Sequence, residues 1–409
     1  MTRQPPEPQL LTEPAEGIPP VVDSETELQA ALSRLSEGTG HVGLDTERAH
    51  GFRYTTKAYL VQIRREGAGT FLIDPTAFEQ DGSPADLSNL GDVISESEWI
   101  IHAASQDLGP LAEIHLVPRQ LFDTELAGRL LGYPRVSLGV LTEELLGVSL
   151  LKEHSASDWS RRPLPAEWLN YAALDVELLG DLRDVLAEQL AAAGKTEWAA
   201  EEFSHLAAHA GDAPTPRVDP WRRTSGIHSV GSQLGLAYVR ELWHARDELA
   251  ASLNIAPGRL VSDRAISELA ATAQPRRGFL GQKSLKSVPG FRWRNARRYE
   301  DAWLAALERV AALPASEYPP KRSPSSGPGA PRGWAGKHPL AYARWQRVRT
   351  SVNELAESLN VPAENLISPD AVRQLCFEPP DSDIDGFLAE LGVRAWQREL
   401  VVPVVAPLL

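Results

Sequence analysis

One cysteine in 409 residues leaves Cys376 without a partner for an internal disulfide, and excludes a thiolate zinc site or an iron–sulfur cluster. No uninterrupted apolar run approaches the roughly 18 residues that a membrane span needs. The opening residues, MTRQPPEPQLLTEPAEGIPP, hold six prolines and no apolar signal core. No GxxxxGK[ST] phosphate loop is present, and no polymerase-sized segment accompanies the first block, so neither a helicase motor nor a polymerase is expected. Excess base is also missing: the net charge of −14 argues against a generally basic nucleic-acid binder. What remains is a globular chain, 43% hydrophobic and expected in the cytoplasm, with room for two to four domains at about 100 to 200 residues each.

The Pro/Glu-rich residues 1–20 read as a disordered tail. A first block over residues 21–210 opens with strand-like runs, HVGLDTE (41–47), AYLVQIRR (58–65) and GTFLIDP (69–75), followed by WIIHA (99–103) and QLFDT (120–124). Helical patterns then take over, as in LGVLTEELLG (138–147) and PAEWLNYAALDVELLGDLRDVLAEQL (165–190), which predicts a mixed sheet covered by helices on both faces. Two all-helical units follow, residues 222–313 and 340–409, separated by a Pro/Ser/Gly-rich linker over 314–339. They repeat each other: DELAASLNIAPGRLVSDRAISELA (247–270) aligns without a gap with NELAESLNVPAENLISPDAVRQLC (353–376). That offset is far longer than a solenoid period, so it marks a duplicated small domain.

Asp45 and Glu47 close the run HVGL and share one face of a strand. Asp107 follows WIIHAASQ where a strand gives way to a helical turn, and Tyr171 and Asp175 are one helical turn apart. Taken singly, each has a plain structural reading: solvated strand-end acids, a first-turn acid favoured by the helix dipole, a core-edge aromatic and a surface charge. As a set converging on one sheet edge, the four acids would repel one another unless cations sat among them. Oxygen ligands alone point to Mg²⁺ or Mn²⁺, and a pair of such ions about 3.5 to 4 Å apart suits phosphodiester hydrolysis. The Tyr171 hydroxyl is placed to orient a water.

The strings GLDTE (43–47), HAASQDL (102–108) and YAALDV (171–176), in this order, resemble the three exonuclease motifs of the DEDD superfamily. SDWSRRPL (157–164) resembles the ribonuclease D branch, and the duplicated unit is similar to the HRDC domain (helicase and ribonuclease D C-terminal). The resemblance covers nearly the whole chain. It implies a ribonuclease H-like α/β exonuclease domain, with a mixed five-stranded sheet, followed by two small all-α HRDC-like domains. It implies further that Asp45 bridges two divalent ions, that Glu47 and Asp175 complete the first site, and that Asp107 serves the second through water. Tyr171 matches the tyrosine subclass; the sister subclass has histidine where this chain has Asn170. The implied activity is 3′→5′ exoribonuclease, releasing nucleoside 5′-monophosphates from precursor tRNA and other small structured RNAs.

His102 reads either as a substrate contact or as a satisfied, partly buried imidazole. Asp123 reads as a helix cap. Lys152, Trp159, Arg161 and Arg162 lie in a polar loop that suits a scissile phosphate and a stacked base, or else a solvated loop anchored by its Trp. From Pro275 to Tyr299 the chain carries eight basic residues, no acid and interleaved aromatics, so Arg292, Arg294 and Arg297 suit RNA contact; an amphipathic helix with a cationic outer face is the structural alternative. Two rival functions use the same residues: a DNA 3′→5′ exonuclease, and a non-catalytic RNA-binding protein with a nuclease-like domain. Nothing demands an obligate protein partner.

Overall fold

The computed structural model describes residues 7–151, 157–213, 215–274, 278–321 and 328–409. Among these residues eight strands form: β1 (Gln9–Leu11), β2 (Val21–Val22), β3 (Thr39–Arg48), β4 (Ala58–Glu66), β5 (Gly69–Ile73), β6 (Glu98–Ile101), β7 (Gln120–Asp123) and β8 (Val148–Leu150). The main sheet has the order β2-β5-β4-β3-β6-β7. β3, β4 and β5 make an antiparallel meander, whereas β6 and β7 run parallel to β3. The five strands expected from the apolar runs are all present, and the two-residue β2 adds a sixth by pairing in parallel with β5.

Helices cover both faces of this sheet. On one, α1 (Glu25–Glu37) buries Leu28, Leu32 and Leu35 against a core that includes Val42 and Leu44 of β3. Each such leucine contributes about 1.5 to 3 kcal/mol by leaving water. Other helices of the first block are α2 (Ser88–Ile94), α3 (Leu108–Glu113), α4 (Thr124–Leu130), α5 (Leu138–Leu146), α6 (Ala166–Glu177), α7 (Leu179–Ala192) and α8 (Thr196–Ala208). On the second face, α6 lays Ala172 and Ala173 against Leu60 and Leu72. These short side chains let the helix approach the strands closely.

Residues 7–20 correct the expected disordered tail. β1 pairs in parallel with β8, the Asn170 Nδ2 donates to the Thr12 carbonyl at 2.7 Å, and the Ala15 amide donates to Glu177 at 3.1 Å. Proline content concealed a short QLL strand whose partner lies far along the chain, beyond the reach of a local pattern. The expected linker is also shorter than its composition suggested. Residues Pro331–Gly333 and Trp334–Lys337 are helical, and Trp334 is buried 5.1 Å from the Phe377 ring. An indole that can be buried outweighs the surrounding Pro and Gly.

The first helical unit packs its own core around α9 (Gln233–Leu253), with Trp221, Tyr238 and Trp303 inside it. The second does not stand apart, because its Val348, Val352 and Leu375 share one apolar cluster with Leu182, Leu186 and Phe203 of the first block. Lys195 pins this junction by donating to the carbonyls of Leu130, Leu359 and Asn360 at 2.6 to 3.1 Å. The repeat docks twice through the same residue. Asn254 and Asn360 are both left-handed, with φ of 47° and 49°; the first accepts from the Tyr54 and Thr55 amides, and the second donates to the Leu131 carbonyl. Among the described residues no helix is long and apolar enough to cross a membrane.

Candidate active site

Three segments far apart in sequence meet at one end of β3. The pleat places Asp45 and Glu47 on the face covered by α6 and α7, and α6 presents Tyr171 and Asp175 toward them across one turn. One carboxylate oxygen each from Asp45, Glu47 and Asp175 lies within 4.8 Å of the others. Asp107 enters from the turn after β6, and the Thr46 hydroxyl donates to its carboxylate. That turn includes Ala103 in the left-handed region, φ 60°. Asp123 supports it by accepting from the Ala103 and Ala104 amides at 3.0 and 2.9 Å, and it also caps α4 through Glu125 and Leu126. The cap expected of Asp123 thus does more than end a strand: it holds the segment that delivers Asp107.

The four acids line a cavity of about 280 Å³ together with Tyr171, His102, Gln106, Arg48 and the apolar Leu44, Leu138 and Leu179. Burial, and then repulsion from Asp107 and Asp175, pushes the Asp45 carboxyl well above the usual range. Glu47 is raised likewise, by burial and by the charge of Asp45. Burial brings Asp107 to about 6 and Asp175 to about 7, although the hydroxyls of Thr46 and Tyr171 oppose each shift. The Tyr171 hydroxyl is hydrogen-bonded to Asp175, and burial beside these carboxylates raises its pKa, so it remains a donor at neutral pH. Among the described residues Arg48 is the one permanent cation lining the cavity, and it donates to Gln106 at 3.3 Å. Four carboxylates facing one guanidinium, all hard oxygen donors and all held toward their neutral forms, fit divalent cations of the Mg²⁺ type.

The other expected substrate contacts divide. His102 lines the cavity; its Nδ1 lies 2.9 Å from the Thr124 hydroxyl, and burial lowers its pKa to about 4, so it is neutral there. Arg161 is exposed, and Lys152 lies outside the described residues. Trp159 is 0% exposed, packed 5.3 Å from Trp168 and 6.5 Å from Tyr171, so of the two readings of this Trp it is the anchoring one that the structure has, a core contact behind Tyr171. Arg162 is spoken for as well: its guanidinium grips both Asp74 oxygens at 2.5 and 2.7 Å and donates to the Tyr59 and Trp159 carbonyls. Arg292, Arg294 and Arg297 are exposed on the first helical unit beside Trp293, which is 66% exposed, and they do not line the cavity. Sequence reasoning missed Arg48 and Gln106, whose only signal was adjacency to Glu47 and Asp107.

Comparison with known proteins adds an independent line. Residues 19–191 match the model of a 3′-5′ exonuclease family, residues 235–307 that of the HRDC domain, and residues 327–409 that of a 3′ to 5′ exonuclease C-terminal domain. The chain is 30% identical to the ribonuclease D of Acidiphilium cryptum over 379 residues, spanning 89% of this chain and 91% of that one. It is 31% identical to the ribonuclease D of Zymomonas mobilis over 311 residues, 74% of this chain and 75% of the other. A solved protein from Bifidobacterium adolescentis is 38% identical, with a TM-score of 0.88 over 98% of this chain and 99% of that chain. Escherichia coli RNase D, at 21% identity, shares the fold with a TM-score of 0.66 over 95% and 98% of the two chains.

Proposed function

The chain belongs to the ribonuclease D family and is a 3′→5′ exoribonuclease; from that premise we propose that it removes single nucleotides from RNA 3′ ends at the acidic cavity and releases nucleoside 5′-monophosphates. The observation that carries this reading is the meeting of Asp45, Glu47 and Asp175 within 4.8 Å, with Asp107 in the same cavity. Asp45, Glu47 and Asp175 would hold one Mg²⁺ or Mn²⁺ ion, and Asp45 with Asp107 a second. When bound, such ions acidify water and offset phosphate charge.

The chain's own residues do the rest. Tyr171, a hydroxyl donor tied to Asp175, orients the attacking water and has no need to act as a base. Trp159 and Trp168 brace the Tyr171 ring from behind. Leu44, Leu138 and Leu179 supply apolar wall against which a terminal nucleoside can be desolvated. His102 and Arg161 contact the substrate near the cavity, and Arg292, Arg294 and Arg297 with Trp293 grip RNA upstream by charge and stacking. The proposed substrates are precursor tRNA and other small structured RNAs with a free 3′ end in the cytoplasm, the class implied by the family resemblance.

The test is a 5′-labelled RNA carrying a short single-stranded 3′ tail, incubated with Mg²⁺ or with EDTA. Stepwise shortening only with metal, and nucleoside 5′-monophosphates as product, supports the proposal. Internal cuts, or shortening that persists in EDTA, would refute it.

A further inference from the structure

The interior beside the acidic cavity contains a polar side chain that the account so far leaves idle. Gln62, in β4, is 0% exposed, and neither its Nε2 nor its Oε1 has a hydrogen-bond partner among the described residues. Buried amides are ordinarily satisfied, and one with both ends unused calls for a reason. Its surroundings are apolar on most sides. On the β5 side of the ladder it faces Leu72, and its same-face neighbour Leu60 packs with Ala172 and Ala173 of α6. The other same-face neighbour, Arg64, is engaged with Glu177 at 3.1 Å.

On the β3 side, Gln62 stands directly opposite Asp45 in the antiparallel register. Residues opposite each other share a face, with Cβ atoms about 5 Å apart, within reach of a glutamine side chain. The adjoining ladder pairs fix the assignment, because Glu47 lies opposite Leu60 and Gly43 opposite Arg64. Of these three β3 residues, Asp45 therefore has the amide beside it.

We propose that Gln62 is a positioning residue for Asp45: its side-chain amide, directly opposite in the ladder, is the donor that fixes which oxygen of the Asp45 carboxylate is turned toward a bound cation. Outer hydrogen bonds of this kind orient ligating carboxylates and typically change metal affinity by about 10- to 100-fold. The inference rests on the proposed role of Asp45 as a ligand.

The test compares the wild-type chain with Gln62→Met, which keeps the length and apolar bulk and removes the donor. Mn²⁺ affinity is measured by calorimetric titration, and the melting temperature is measured in EDTA. The expected result is an affinity lowered about tenfold or more, with metal-free melting unchanged or raised because the unsatisfied amide is gone. Should the methionine variant not fold, Gln62→Asn, whose amide is one methylene too short, is measured in its place, with the same loss of affinity expected. Affinity within twofold of wild type overturns the proposal, as does a metal-free destabilisation that parallels the affinity loss, since Gln62 would then be a packing residue. Absence of Mn²⁺ binding by the wild-type chain is a different failure, because it would overturn the site assignment on which the inference stands.

Discussion

The acidic cavity makes a quantitative demand on stability. In the folded chain Asp175 titrates at about 7 against an ordinary 3.8, and Asp107 at about 6. At about 1.4 kcal/mol per pH unit, the neutral form is favoured by about 4 kcal/mol at Asp175 and about 3 kcal/mol at Asp107. The two groups share the cavity and repel each other, so the larger value, about 4 kcal/mol, sets the scale better than their sum does. Because folding raises both values, this stability is present in full below about pH 4 and is lost as the pH rises through 6 and 7. Without metal, the melting temperature should fall between pH 5 and pH 8 by several degrees more in wild type than in Asp175→Asn. Saturating Mn²⁺ should remove the difference, since an ion that binds only the folded state adds stability as RT ln(1 + [L]/Kd). Differential scanning calorimetry of both proteins at pH 5, 6, 7 and 8, in EDTA and in Mn²⁺, measures all of this. Parallel melting curves for wild type and variant across that range, together with no response to Mn²⁺, would refute the reasoning.

Two further expectations separate structural residues from substrate contacts. Trp159→Ala removes a fully buried indole behind Tyr171, so it should cost about 3 to 5 kcal/mol of stability and lower kcat, whereas Trp293→Ala at an exposed site should leave stability unchanged and weaken RNA binding; chemical denaturation and RNA titration distinguish the two. Replacing Arg292, Arg294 and Arg297 together by Ala should reduce the dependence of log K for RNA on log salt by about 2 to 3, with kcat at saturating RNA retained; an unchanged slope would remove this face from the RNA path.

The acids were legible because strand period two and helix period 3.6 assign faces without knowledge of the tertiary fold. Asp45 and Glu47 two apart, and Tyr171 and Asp175 four apart, could each be placed on one side of an element from sequence alone. What sequence could not show was which polar groups were already occupied. Arg162 reads as a free cation in a polar loop until Asp74, 88 residues away, is seen to hold it. Trp159 reads equally as a stacking platform or as the anchor of its loop, because its neighbours in the chain are polar; its actual neighbours, Trp168 and Tyr171, come from α6 and decide for the anchor. The strand at Gln9–Leu11 and the burial of Trp334 depend likewise on distant partners, Val148–Leu150 and Phe377. Composition described the solvent preference of those segments and missed the surfaces waiting for them.

The most direct measurement pairs the rate of RNA shortening with RNA affinity for Asp45→Asn and Asp175→Asn in saturating Mg²⁺. Each substitution keeps the side-chain volume and removes one charge from the cavity. The account predicts that hydrolysis disappears while the dissociation constant for RNA stays close to that of wild type. Full activity in either variant would contradict it.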